Sequence, residues 1–295
     1  MGRLDGRVAI VTGAGSGVGR EHARLLASEG ASLVINDLGD SAEEAAAEIV
    51  AAGGAAVAHR GSVTSWNTGE ELIALAVEHF GDAHIVINNA GILRDKMSFS
   101  MTEEEWDSVI AVHLKGHFVC ARAAAVYWRE EAKQGREAPR RLIHTTSESG
   151  LFGNAGQTNY GAAKGGILTM SIAFARELQK YQCTSNCIAP RARTPLTLDQ
   201  ASMAAPTDPN EFDVYDPANV SPFVVWLCTD AAANVSGQTF IAGGSGVWLM
   251  QRFSHVNHIK DPGRRLTLDD FDARAAELFG DHDTGVPAFE APNFR

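Results

Sequence analysis

Tyr160 and Lys164 sit at i and i+4 in Thr158-Asn-Tyr-Gly-Ala-Ala-Lys164, a stretch whose composition suits a helix. That spacing places a phenol and an ammonium on one helix face. A free phenol, with a pKa near ~10, is a poor base at neutral pH. A neighbouring cation favours the phenolate and lowers that value. Upstream, Ser147 ends the β-branched run that leads into Thr145-Thr-Ser-Glu-Ser-Gly150, and its hydroxyl could donate to a reacting oxygen. Together the three offer proton transfer at a hydroxyl or carbonyl carbon. Alone, Tyr-x-x-x-Lys is also an ordinary solvated helix face, so its position in the chain has to decide.

A second group lies near the N-terminus. An apolar run ends in Thr12-Gly13-Ala14-Gly15-Ser16-Gly17-Val18-Gly19, after which helical residues begin. Glycines at a strand-to-helix turn let the backbone approach a pyrophosphate, whose charge rests at the positive end of the helix. Asp37 follows the next apolar run, Ser-Leu-Val-Ile-Asn36. A carboxylate there accepts from both ribose hydroxyls and repels a 2′-phosphate, which predicts NAD and not NADP. Ser16, where a cation could stand, points the same way, whereas Arg20 is the nearby cation that argues against it. Asn88-Asn89-Ala90-Gly91 falls at the end of a later run, where open α/β sheets bind ligands. Each of these segments could also be a plain turn.

The elements that must position these groups alternate regularly. Strands are predicted over 8–11, 32–36, 55–59, 85–87, 141–145, 184–188 and 239–242, and helices over 18–28, 42–52, 66–80, 103–131, 158–181 and 217–228. The pattern predicts an α/β fold, a doubly wound parallel sheet of seven strands with helices on both faces. Residues 251–295 fall outside the alternation. There Thr267-Leu-Asp-Asp270 offers a helix cap before Phe271, Ala275, Leu278 and Phe279, and the Pro-containing end reads as an extended arm.

The chain has 295 residues, 45% hydrophobic, with 25 basic against 36 acidic residues. It can therefore bury a large core, and the acidic balance argues against nucleic acid as a partner. Cys120, Cys183, Cys187 and Cys228 read as buried reduced thiols and not as a metal site. The first residues lack the pattern of a secretion signal, and no run approaches the ~18 apolar residues of a membrane span. A cytoplasmic location with no membrane partner is expected.

Taken in order, the glycine motif, Asn-Asn-Ala-Gly, Ser147 and Tyr-x-x-x-Lys resemble a classical short-chain dehydrogenase/reductase over roughly residues 3–248. The resemblance implies a seven-stranded Rossmann sheet over residues 1–250, with 251–295 as a partly helical C-terminal extension. It also implies a bound NAD(P) and hydride exchange with an alcohol or carbonyl compound. By position, Tyr160 is then the acid/base, Lys164 orients the ribose, and Ser147 holds the reacting oxygen. The resemblance further implies a homodimer or homotetramer, built partly from the helices over 103–131 and 158–181.

Asn36-Asp37-Leu-Gly, Gly91-Ile-Leu-Arg-Asp95, Val112-His113-Leu-Lys-Gly116 and Gly153-Asn-Ala-Gly-Gln-Thr-Asn-Tyr160 are similar to the (3R)-hydroxyacyl-CoA dehydrogenase domain of peroxisomal multifunctional enzyme type 2. This implies oxidation of a 3-hydroxyacyl-CoA, with bulky or steroid-derived acyl groups among the candidates, to the 3-oxo thioester. The alternatives are a 3-oxoacyl carrier-protein reductase, a hydroxysteroid or other alcohol dehydrogenase, and a catalytically silent NAD sensor.

Some positions depart from the family pattern. His113 replaces the usual Asn and is either a proton-relay member of the site or a structural helix histidine. Ser62, before Val63, replaces an Asp at the adenine. Pro190-Arg191 replaces Pro-Gly, and Thr194 arrives one residue early, both still expected beside the nicotinamide. Arg191 or Arg193 could attract a CoA phosphate or simply be solvated. The loop between Pro190 and Asp216 is expected to act as a lid that selects the substrate.

Overall fold

A computed structural model describes residues 2–194, 203–208, 211–251, 253–282, 284–290 and 292. Among them the strands are β1 Val8–Thr12, β2 Ser32–Asp37, β3 Ala55–Arg60, β4 Ile85–Asn88, β5 Arg140–Thr145, β6 Cys183–Arg191, β7 Thr239–Gly243 and β8 Gly246–Leu249. The helices are α1 Gly17–Ser28, α2 Ser41–Ala51, α3 Thr68–Phe80, α4 Glu103–Ile110, α5 Gly116–Lys133, α6 Glu148–Phe152, α7 Thr158–Leu178, α8 Ser221–Cys228 and α9 Leu268–Phe279.

The sheet order is β3-β2-β1-β4-β5-β6-β7-β8, parallel from β3 to β7. The order reverses between β1 and β4, so the carboxyl ends of those strands part into a crevice, the place such sheets bind ligands. Leu26, Ala45, Ile49 and Val224 bury α1, α2 and α8 on one face. Leu72, Ala76, Cys120, Trp128 and Phe174 bury α3, α5 and α7 on the other. The predicted strands are all present, and their continuous apolar runs, such as the fully buried β1 and β4, reflect coverage on both faces.

Three features differ from expectation. The sheet has eight strands: β8 returns antiparallel to β7, with Gly243 paired to Gly246 across a two-residue turn. Gly244, at φ +48°, supplies the left-handed backbone that such hairpins require. The predicted helix over 103–131 is broken by a π-helical segment, Ala111–Lys115, between α4 and α5. This extra residue per turn brings His113 inward, a common use of such bulges. Finally, Ser147 does more than end a strand: it caps α6, a short helix with no periodic signature, and accepts from the Ser149 N–H at 3.2 Å.

The α4–α5 run, Glu103–Lys133, is by mean hydropathy long and apolar enough to cross a membrane, although no unbroken apolar run is present. Half of its most apolar window is buried, as in a core helix. All four cysteines are buried and free, and Cys183 and Cys187 lie on β6.

The chain divides into two compact units, one comprising residues 1–250 and 291–295, the other Gln251–Glu290. The second carries α9, opened by the foreseen cap: Thr267 Oγ1 accepts from the Asp270 N–H at 3.3 Å, and Asp270 accepts from the Thr267 N–H at 2.7 Å. The lid expectation falls in part on 195–202 and 209–210, which lie outside the described residues.

Candidate active site

The crevice is shaped first by the glycine turn. Gly13 has φ +62°, and a Cβ there would lie 2.7 Å from the Ala90 Cα, so only glycine lets the β1 and β4 loops meet. Thr12 Oγ1 accepts from the N–H groups of Asn89 (3.0 Å) and Ala90 (3.2 Å), and the Asn89 amide donates to the carbonyls of Thr12 (3.2 Å) and Gly13 (3.1 Å). A Cβ on Gly19 would strike the Gly13 oxygen at 2.3 Å, which explains its place at the start of α1.

Asp37 closes the far end. Its oxygens accept from the N–H groups of Gly15 (2.8 Å) and Leu38 (2.7 Å), which fixes the carboxylate while leaving lone pairs for further donors. Arg20 pairs with Glu48 at 2.7 Å, so the one cation that argued for a 2′-phosphate is already neutralised. Ser62 Oγ lies 2.8 Å from Thr64 Oγ1.

From Asp37 a cavity of about 270 Å³ runs to Lys164. Of the residues the sequence singled out, Gly13, Ser16, Gly17, Val18, Asp37, Ser62, Val63, Asn89, Ala90, Gly91, His113, Tyr160, Lys164, Pro190 and Thr194 line it. Gly15, Gly19 and Ser147 are not on its wall; the first two act through the turn, and Ser147 through Tyr160. Ile92, Leu93, Val112 and Ala192 also line it and escaped the sequence reading, because their apolar types look like any core residue; Thr145, also on the wall, looked like an ordinary strand-end threonine.

At the inner end Lys164 is buried at 1% exposure and donates from Nζ to the Thr145 carbonyl at 2.6 Å. Burial pulls its pKa down to about 7. Its ammonium lies 5.6 Å from the centre of the Tyr160 ring. Tyr160 itself is pushed up to about 12, first by burial; a hydrogen bond from Ser147 lowers it, and the charge of Asp95 raises it. In the chain alone desolvation outweighs the Ser147 hydrogen bond; the expected lowering by the ammonium together with a positively charged nicotinamide concerns the cofactor-bound site.

His113 Nε2 lies 2.7 Å from the Ile92 carbonyl and 3.1 Å from the Ile92 N–H. The closer contact assigns the ring hydrogen to Nε2. Burial, helped by the charge of Lys164, holds the pKa of His113 down at about 3, so it stays neutral. Asn159 was missed altogether. Fully buried, it donates to the carbonyls of Arg94 and Glu105 (both 3.0 Å) and accepts from the Tyr160 N–H at 2.7 Å. It therefore pins the start of α7, and with it Tyr160, to the loop after β4. Its only signal was an Asn directly before the tyrosine.

Arg191 pairs with Glu148 at 3.5 Å and Arg193 with Asp213, so both cations have carboxylate partners. No cluster of metal-binding side chains occurs among the described residues.

A glycine-lined crevice at the switch point of a parallel sheet, joined to a Ser-Tyr-Lys group whose lysine is buried, defines a dinucleotide-dependent oxidoreductase. Residues 7–203 match the short chain dehydrogenase family, and the chain belongs to it. It is thus an oxidoreductase acting on CH–OH groups with a nicotinamide cofactor. It is 44% identical to a hydroxyacyl-CoA dehydrogenase of Mycobacterium tuberculosis, over 91% of this chain and 89% of that protein. It is 39% identical to the peroxisomal multifunctional enzyme type 2 of Mus musculus, over 82% of this chain but 32% of that longer protein. The crystal structure of a short chain dehydrogenase from Mycobacterium avium is similar with a TM-score of 0.87 and 42% identity, covering 98% of this chain and all of that one.

Proposed function

We propose that the protein oxidises a 3-hydroxyacyl-CoA to the 3-oxoacyl-CoA with NAD as acceptor. The observation that carries the reaction type is that Tyr160, hydrogen-bonded to Ser147, and Lys164 line one end of the cavity that Asp37 closes at the other. The hydroxyacyl-CoA dehydrogenase among the relatives supports the substrate class. The Asp37 carboxylate, with Arg20 neutralised by Glu48, supports NAD over NADP.

The residues present fit the dinucleotide. The Gly13–Ala90 approach leaves backbone where a Cβ would intrude, and Asp37 offers acceptors for ribose hydroxyls. Lys164, beside Thr145, would meet the second ribose, and Pro190 and Thr194 the nicotinamide side. Bound there, the dinucleotide would supply the acceptor for the hydride of the carbinol carbon. Tyr160 Oη takes the hydroxyl proton of the alcohol as that carbon becomes a carbonyl. Ser147 donates a hydrogen bond to the same oxygen, and Lys164 supplies positive charge that favours the phenolate in the closed site. His113, neutral and donating from Nε2 to the Ile92 carbonyl, keeps the loop after Gly91 in place and relays no proton.

The test is a panel of 3-hydroxyacyl-CoA thioesters assayed with NAD and NADP. Turnover with NAD supports the proposal. Activity on free hydroxysteroids with none on thioesters would replace it with the hydroxysteroid reading.

A homodimer or homotetramer is part of the proposal, since Trp106, Phe118 and Val126 leave an apolar strip exposed on α4 and α5. So is a cytoplasmic, reducing location, which suits four free thiols.

A further inference from the structure

Beyond Asp37 the wall of the crevice is made of Leu38, Gly61, Ser62 and Val63. Tyr160 and Lys164, the reacting groups, line the opposite end. This wall therefore faces the half of a dinucleotide that takes no part in hydride transfer, its adenine. Gly61 and Ser62 follow directly on β3, so the shape of the wall depends on how that turn is held against the end of β2.

Both backbone polar groups of Gly61 are tied to β2. Its N–H donates to the Asp37 carbonyl at 3.0 Å, and its carbonyl accepts from the Asn36 side-chain amide at 2.9 Å. The same amide nitrogen lies 3.1 Å from His59 Nδ1 and 3.4 Å from the His59 carbonyl. Asn36 and His59 are register partners on β2 and β3, so their side chains leave the same face of the sheet.

The hydrogen positions follow from these partners. Two carbonyl oxygens face the end of the Asn36 side chain, so its NH₂ and not its oxygen points at them. Its two hydrogens go to the closest acceptors, Gly61 O and His59 Nδ1. Nδ1 is then bare, and the ring hydrogen sits on Nε2, 3.3 Å from a Glu71 carboxylate oxygen on α3. Asn36 is 1% exposed, so an amide left without these acceptors would be costly. The His59 ring also packs beneath Gly61, where a Cβ would lie 2.6 Å from His59 Cε1.

We propose that His59 is a positioning residue for the adenine end of the cofactor site, fixing the Gly61–Ser62 turn through the Asn36 amide and through its own contact beneath Gly61. His59 is not on the cavity wall and acts only through these neighbours. Glu71 orients the ring from outside: a carboxylate only accepts, which keeps the hydrogen on Nε2 and leaves Nδ1 to receive the amide. From the other side, Thr68 Oγ1 at the start of α3 donates to the Ser62 carbonyl at 2.8 Å. A side chain with no acceptor at the Nδ1 position releases the Asn36 amide, and with it the Gly61 carbonyl. The wall is then no longer formed in advance, and nucleotide binding has to order it.

The inference rests on the reading that NAD lies in the crevice with its adenosine towards Asp37. The test is calorimetry of the full chain with two probes, NAD and ADP-ribose, the second lacking the nicotinamide. It needs no thioester. For His59→Leu both affinities should fall by the same factor, about three- to tenfold, the weight of one lost hydrogen bond. His59→Asn places an oxygen where Nδ1 was and should bind both probes as native protein does. Gly61→Ala should weaken both probes in the native background but add nothing to His59→Ala, where the ring that its Cβ meets is gone. This pair also decides the matter should the leucine variant not fold. Affinities unchanged in His59→Leu, a loss confined to NAD, or reduced thermal stability with unchanged affinity would overturn the inference while leaving the NAD reading intact. Native protein that binds neither probe would overturn that reading, and the role of His59 with it.

Discussion

The ring of His113 meets the ring of Tyr160 edge-on, with centroids 5.1 Å apart and planes at 83°. The imidazole thus acts as a wall for the catalytic phenol while its Nε2 holds the Ile92 carbonyl at 2.7 Å. Its neutrality follows from burial, and its position from the π-helical segment that carries it inward. His113→Asn can still bond a nearby backbone group, and should keep most of the turnover. His113→Leu leaves the Ile92 carbonyl without its partner, at about 1–3 kcal/mol. Thermal unfolding of the two variants checks this. With a pKa near 3, His113 should also add no limb to the pH–rate profile between pH 5 and 9; a limb present in the native enzyme and absent from His113→Asn would contradict the structural role.

Tyr160→Phe removes the proton acceptor and little volume. Turnover should fall by roughly 10²–10⁴-fold, the usual weight of a positioned acid or base. NAD binding, measured by calorimetry, should hold within a few-fold. Unchanged turnover would mean that another group handles the proton.

Asp37→Ala removes the acceptors that the ribose hydroxyls would use. A hydrogen bond to a charged group contributes about 1.5–3 kcal/mol, so NAD affinity should drop on the order of tenfold to a hundredfold. NADP should then bind as well as NAD or better, since the repelling charge is gone while Arg20 remains within reach of the loop. Paired binding curves for the two dinucleotides decide it. If native protein already prefers NADP, the assignment of Asp37 fails.

How much of this could be read from the chain follows from how local each signal is. The glycine turn, Asp37 and the Tyr160–Lys164 pair announce themselves because their spacing sits on a strand end or one helix face. β8 stayed hidden: four residues behind a two-residue turn carry too little alternation to register beside the far stronger β7. The break at Ala111–Lys115 was invisible because π-helical residues have ordinary helix formers on either side. Asn36 and His59 are distant in sequence and become neighbours only when β2 pairs with β3. The rise that burial alone gives the Tyr160 phenol was hidden for a similar reason, since spacing reveals a nearby cation but not how much water the fold removes.

Val126→Glu places a charge on the exposed apolar strip of α5. If that strip joins two copies, the native protein should elute as a dimer or tetramer and the variant as a smaller species, with its fold retained by circular dichroism. A native monomer at micromolar concentration would remove the association from the proposed function.

Lys164 makes the last prediction, through pH. Its folded pKa of about 7 lies below the ordinary value of 10.5, so the buried ammonium opposes folding at low pH. Below pH 7 both folded and unfolded chains carry the proton, and the full cost is present. Between about pH 7 and 10.5 the unfolded chain binds more protons than the folded one, so this contribution relaxes as pH rises. Lys164→Met keeps the length of the side chain without the charge. The stability of the variant relative to native protein, from denaturant unfolding, should therefore decline steadily from pH 7 to pH 10. Restricting the comparison to that window avoids Tyr160, whose own ionisation begins higher. Parallel stability curves across the range would show that Lys164 is hydrated enough in the folded state to keep an ordinary pKa.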